Sequence, residues 1–213
     1  MEEKLYFLGY VAAIVFSVRF LIQWLLSEAK GKSLVPRVFW WLSMLGNVTL
    51  MTHGIIQLQY HVALIQGVNG VISWRNLNLM GKDPISFKAV LIFFGSIILA
   101  ITAIFVFRDS FWFRVPTHTF QSDPTKSVPI FLHIIGIIGL ALFNSRFLLQ
   151  WWQSENAHKS LLSVTFWWLS ISGGILSIIY FAAMWDVANL IGPLLGMVPY
   201  IRNLMLLRKA EAT

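Results

Sequence analysis

Four arginines stand inside or at the margins of strongly apolar stretches: Arg19, Arg75, Arg146 and Arg202. A guanidinium keeps its charge at physiological pH and offers a planar fork of donors that matches a phosphate or carboxylate. Hydrocarbon tolerates such a group poorly, so these residues point toward a site. Other polar residues travel with them. Arg19, Gln23 and Ser27 fall at i, i+4 and i+8 on one helical face, and Arg146, Gln150 and Ser154 repeat the pattern. A further stripe, Gln66, Asn69, Ser73 and Asn76, is spaced three, four and three; its counterparts are Pro193, Gly196, Tyr200 and Asn203. The chemistry within reach is the holding of an anionic head group. Its candidate binding residues are Arg19, Gln23, Gln66, Asn69, Arg75, Asn76, Arg146, Gln150, Arg202 and Asn203. Where the stripes meet, the expectation is a positively charged cavity. Arginines near span ends also snorkel to the interface or pair with a local carboxylate, and Glu28 and Glu155 are close enough in sequence to serve. Those two glutamates stand open between ion pairing and the handling of substrate or a proton. They are the only general-base candidates near the stripes, and no catalytic residue is assigned.

These residues belong to a unit written twice. Arg19-Phe20-Leu21-Ile22-Gln23-Trp24, Ser27-Glu28, Lys32-Ser33-Leu34 and Phe39-Trp40-Trp41-Leu42-Ser43 return 127 positions later as Arg146-Phe147-Leu148-Leu149-Gln150-Trp151, Ser154-Glu155, Lys159-Ser160-Leu161 and Phe166-Trp167-Trp168-Leu169-Ser170. The same displacement carries Arg75-Asn76-Leu77 onto Arg202-Asn203-Leu204, so the register holds without a gap.

The elements that must position them are apolar helices. Of 213 residues, 57% are hydrophobic and 12% charged, and the mean hydropathy is +0.71, a balance that belongs in a bilayer. Seven spans are expected: Leu5 to Leu26, Val38 to Leu58, Val62 to Met80, Ala89 to Phe107, Pro129 to Trp152, Val164 to Met184 and Val187 to Leu207. The expected fold is thus an all-α integral membrane protein. Its first repeat covers residues 1–82, a linker helix with an outer interfacial loop covers 83–128, and its second repeat covers 129–213. Two three-helix copies joined directly would be antiparallel; the fourth span restores a parallel arrangement, 3+1+3, of the kind seen in SWEET-type transporters. Lys30, Lys32, Arg37, Lys82, Lys88, Lys159, Arg208 and Lys209 collect on one face, against Lys4, Arg108, Arg114 and Lys126 on the other. The amino terminus is therefore expected outside and the carboxy terminus in the cytoplasm. Glu2 and Glu3, standing where a basic region belongs, argue against a cleaved signal at the first span.

Gly46, Gly173, Gly174 and the Gly192/Gly196 pair are expected at helix contacts, and Trp40-Trp41 and Trp167-Trp168 at a membrane interface, with substrate contact as the alternative. The chain has no cysteine, which removes disulfides and thiolate chemistry. Its five histidines show no metal-ligand spacing, and no phosphate-binding glycine loop or nucleophile elbow is present. Neither metal nor cofactor is expected. The charge of +7 reads as a topology signal and not as nucleic-acid affinity.

The string R-F-x-x-Q-W-x-x-S-E, then S, F-W-x-x-S-x-x-G and finally R-N-L resembles the lipid A biosynthesis N-terminal domain family, small membrane modules also found fused ahead of lipid-A-disaccharide synthase. Both copies match, Phe16 to Leu79 and Phe143 to Leu206. That family is in turn similar to the PQ-loop and SWEET group of three-helix transport modules. Pro36 fits the family's proline before the Phe-Trp pair, where the second copy has Ser163; the residues before Arg-Asn are Ser73-Trp74 and Tyr200-Ile201. The resemblance implies a Gram-negative inner membrane and a partner that is a membrane lipid or lipid-linked sugar phosphate. It leaves two functions open: a transporter or flippase, and a non-transporting subunit that presents lipid to a lipid A-pathway glycosyltransferase. It does not imply catalysis, since the synthase chemistry resides in a sugar-nucleotide-binding fold with no counterpart in these residues.

Overall fold

Long uncharged runs can satisfy their backbone groups only internally, and the computed structural model resolves them into helices. It describes residues 5, 7–107, 129–184 and 187–211, and the expected interfacial loop at 108–128 lies outside these. Among the described residues there are seven helices and no strand: α1 Phe7–Lys30, α2 Arg37–Ile56, α3 Tyr60–Leu79, α4 Phe87–Phe107, α5 Ile130–Asn156, α6 Val164–Ala183 and α7 Val187–Glu211. Five of them, α1, α4, α5, α6 and Leu190–Lys209 of α7, are long and apolar enough to cross a membrane. At 20 residues each, α2 and α3 have the length. They fall short in hydropathy because Asn47, Thr49, Thr52 and His53 interrupt α2, while Gln66, Asn69, Arg75, Asn76 and Asn78 interrupt α3.

Helices α1 and α5 run one turn past the expected ends, which brings Ser27-Glu28 and Ser154-Glu155 onto helix. Both stop the same way. Gly31 adopts φ 62°, and Gly31 N donates to Glu28 O and Lys32 N to Ser27 O. Its counterpart His158 adopts φ 50°, with His158 N on Glu155 O and Lys159 N on Ser154 O. This is a left-handed C-cap, which glycine takes without strain and histidine does not. At the following helix starts, Pro36 caps α2 through its fixed backbone; Ser163 caps α6 through its hydroxyl, which accepts from Phe166 N. The Pro/Ser difference between copies thus preserves the helix start by two devices.

The chain divides into two compact units that exchange segments. The first takes α1 up to Arg19, then Pro36 through α4, then Ser154–Ser160; the second takes Phe20–Val35, α5 up to Gln153, and Leu161 onward. In the first unit Ala63, Ile101 and Phe105 form a buried cluster with Met51, Ile55, Tyr60 and Ile97 around it. Tyr60 and Thr102 hydroxyls meet at 3.0 Å, which holds α4 against α3 and leaves most of the rest of α4 exposed apolar surface. In the second unit a Cβ on Gly173 would lie 2.9 Å from Phe143 N, so α5 and α6 approach backbone to backbone there. Among the described residues Gly192, expected at a contact, has nothing within 4 Å of such a Cβ and is exposed, whereas a Cβ on Gly196 would meet the Tyr200 side chain.

Candidate functional site

The predicted residues sort into three environments. The first is a pair of bidentate ion pairs. In the first unit Arg75 Nε and Nη2 meet Glu155 at 2.6 and 2.8 Å; in the second, Arg202 Nε and Nη2 meet Glu28 at 2.6 and 2.8 Å. Each arginine reaches the glutamate written in the opposite sequence copy. Their settings differ. The Arg75 and Glu155 side chains are 4% and 13% exposed, those of Arg202 and Glu28 41% and 30%.

The second environment is a saturated amide network. Gln23 and Asn203 exchange two hydrogen bonds, 2.8 and 3.0 Å, and Gln23 Nε2 also reaches Leu34 O at 2.8 Å. Ser33 donates to Asn203 Oδ1, as Ser160 does to Asn76 Oδ1. Gln150 Nε2 donates to Leu161 O at 3.0 Å. All four amides are fully buried, and their bonds tie helix to loop. Gln66 and Asn69 differ: both are half-buried, and neither side chain makes a hydrogen bond among the described residues.

The third environment surrounds the remaining arginines. Arg19 Nη1 donates to Ser43 Oγ at 2.8 Å, and Arg146 Nη1 to Ser170 Oγ at 3.1 Å. Each serine gives its own proton to a carbonyl one turn back, Phe39 O or Phe166 O, and so presents a lone pair to the guanidinium. Arg19 lies over Phe16 and Phe39. Arg146 is 2% exposed and lies 3.6 Å from the Phe143 ring centroid, 4.9 Å from Phe147 and 5.5 Å from Phe20, Phe166 and Tyr200. No carboxylate pairs with it among the described residues. Rings recover part of a buried cation's desolvation cost, about 0.5–2 kcal/mol each and not additively, against a penalty of several kcal/mol. Arg146 Nε has no hydrogen-bond partner, nor does the buried Trp167 Nε1, and Tyr200 packs between them, 6.1 Å from Trp167 by ring centroids. In the first unit Trp40 Nε1 donates to Ser160 Oγ at 2.7 Å. Each tryptophan pair therefore splits. Trp40 and Trp167 are fully buried, and only Trp41 and Trp168 remain outside for an interface role, because neighbours on a helix point about 100° apart.

Sequence reasoning missed Ser43, Ser170 and the rings. A signal existed for most of them: Ser43/Ser170, Phe16/Phe143 and Phe39/Phe166 all recur at the repeat displacement. Tyr200 does not recur in type, since Ser73 stands at its place in the first copy; its signal was its position on the same stripe. Among the described residues no group of three His, Asp or Glu side chains is arranged to hold a metal ion.

A duplicated helical chain with buried cations and five bilayer-length apolar helices is of the membrane-protein class. Within that class its family is defined: the model of the Lipid A Biosynthesis N-terminal domain matches residues 8–78 and again 135–205, and the chain belongs to this family. It is similar to the lipid-A-disaccharide synthase of Chlamydia felis, 37% identical over 98% of this chain and 34% of the relative. It is also similar to those of Chlamydia pneumoniae, 35% identical over 97% of this chain and 34% of the relative, and Chlamydia caviae, 36% identical over 98% and 34%. The chain spans about a third of the length of these curated relatives. No solved structure matches it.

Proposed function

We propose that the protein moves an anionic lipid, or a lipid-linked sugar phosphate, of lipid A-related glycolipid synthesis between membrane leaflets. The observation that carries this reading is the fully buried Arg146 without a carboxylate, beside the unused donors Arg146 Nε and Trp167 Nε1. A buried charge that the fold itself leaves unneutralised is the state in which a phosphate brings the missing anion and the missing acceptors together. The family description supplies the glycolipid context. The reading includes seven spans in a 3+1+3 parallel arrangement, the amino terminus periplasmic and the carboxy terminus cytoplasmic, in a Gram-negative inner membrane. Duplicated helical bundles of that kind are a transporter architecture.

The test compares wild type with Arg146→Met and Arg146→Lys, each gently extracted from its own membrane. Native mass spectrometry is expected to find a phosphate-bearing glycolipid on wild type and none on Arg146→Met. In liposomes the wild type is expected to move that labelled lipid across leaflets. Bulk phospholipid alone on all three proteins would count against the reading. A second reading, presentation of lipid to a glycosyltransferase without transport, is favoured by the synthase names of the relatives that extend beyond this chain. It predicts a stable complex with such an enzyme and lipid that stays on its original leaflet.

A further inference from the structure

The two ion pairs are sequence equivalents, yet only one is locked. Arg75 spends every nitrogen: Nε and Nη2 on Glu155, and Nη1 on Asn78 Oδ1 and Ile85 O, both at 2.7 Å. Asn78 in turn accepts from Ile85 N at 3.0 Å, which pins the loop after α3. At the position equivalent to Asn78 the second copy has Met205, and among the described residues Arg202 Nη1 has only its thioether sulfur at 3.9 Å. A thioether is a weak acceptor, so this nitrogen is poorly served. Glu28 is divided as well, since Trp24 Nε1 donates to its Oε1 at 2.9 Å. The exposed pair is thus the one with fewer supporting bonds, and exposed ion pairs contribute little to stability.

We propose that Arg202 is an exchange site for a phosphate oxyanion, with the Glu28 carboxylate as its internal placeholder, while Arg75–Glu155 is a fixed clamp. This rests on the anionic-ligand reading above and names where the ligand first engages. A phosphate monoester presents the same two-oxygen edge as a carboxylate and carries more charge. It can take the fork that Glu28 occupies and reach Nη1 too. Glu28 then keeps the Trp24 indole N–H as partner, so its release leaves no orphaned carboxylate. In the first unit the same exchange would strip Arg75 from the loop anchored by Asn78, which the buried setting disfavours.

The test uses the full chain in detergent, with affinity measured for two probes: dioctanoyl phosphatidic acid and inorganic phosphate, with dioctanoyl phosphatidylcholine as control. Glu28→Gln removes the competing anion and is expected to tighten phosphatidic acid binding several-fold. Arg202→Gln is expected to abolish that gain in the double variant, and Glu155→Gln to give none. Equal tightening by inorganic phosphate assigns the site to a free anion; tightening by the lipid alone assigns it to a head group. Glu28→Asp, which shortens the reach to Arg202, keeps the comparison available if Glu28→Gln folds poorly, and is expected to change affinity in the same direction. Unchanged or weaker binding in both Glu28 variants, equal tightening by Glu155→Gln, or loss of the fold in both Glu28 variants would overturn the proposal. If Arg146→Lys weakens binding while the Glu28 variants change nothing, the exchange site fails and the anionic-ligand reading stands. If wild type and every variant ignore both probes, both fail.

Discussion

At the scale of single residues, a buried charge behaves oppositely according to whether the protein or a ligand neutralises it. Arg75 and Glu155 are neutralised by each other, so removing one strands the other. Glu155→Gln is expected to cost about 3 kcal/mol, read as a lowered unfolding midpoint in detergent. Around Arg146 stand rings and the hydroxyls of Ser170 and Tyr200, none of them an anionic carboxylate, and Ser170 already satisfies itself on Phe166 O. Arg146→Met therefore removes a desolvation cost and leaves no charged partner behind, at the smaller cost of the Tyr200 hydroxyl's bond to the guanidinium. It is expected to raise the midpoint, by about 1 kcal/mol, while abolishing anionic lipid binding. A midpoint that falls would mean that Arg146 is structural and would sink the proposed function at its main support.

At the scale of elements, the two copies test each other because one sequence difference at a time separates them. His158 sits in the left-handed cap that Gly31 fills in the other copy. His158→Gly is expected to stabilise by about 0.5–1 kcal/mol, since relief of the strained φ exceeds the added freedom of the unfolded chain. On α6, Gly173→Ala places a Cβ 2.9 Å from Phe143 N, where the neighbour is backbone and cannot turn aside. It is expected to cost about 1–3 kcal/mol. Gly192→Ala, in open space, is expected to gain up to about 1 kcal/mol through helix propensity. Thermal unfolding of the three variants reads all of this. The helices were legible because long apolar runs leave the backbone few other solutions; their ends were off by a turn where Ser27-Glu28 and Ser154-Glu155 looked too polar for a span. Which glycine packs was not legible, because Gly173 and Gly192 sit in equally apolar sequence and differ only in what faces them. Nor was the partner of each arginine. Glu155 lies 80 positions from Arg75, and Glu28 lies 174 from Arg202, distances over which no periodicity reports.

At the scale of the whole molecule, the parity of spans decides where a site opens. Two three-helix copies point the same way only if an odd number of spans separates them, and α4, with its bilayer-length apolar run, is the element available for that role. The two helices outside the five that are long and apolar enough to cross, α2 and α3, decide whether the count is odd. If both cross, the connections after α1, α3 and α5 share a face, and the connection after α2 lies opposite. Those three connections carry Lys32, Lys82 and Lys159, and the proposed orientation puts the face richer in basic residues in the cytoplasm. The absence of cysteine makes the check direct, because any introduced thiol is unique. Lys32→Cys, Lys82→Cys and Lys159→Cys are expected to resist a membrane-impermeant maleimide in intact spheroplasts and to react after lysis. Gln57→Cys is expected to react from outside. If α2 and α3 instead lie along or between other helices without crossing, Gln57→Cys joins the protected set while the other three keep their side. A Gln57→Cys that stays unlabelled would leave each three-helix copy without the crossings that the 3+1+3 reading requires, while the side reported by Lys32→Cys would still be that of the Glu28–Arg202 pair, one turn from the α1 connection. That outcome would favour presentation of lipid to an enzyme over transport.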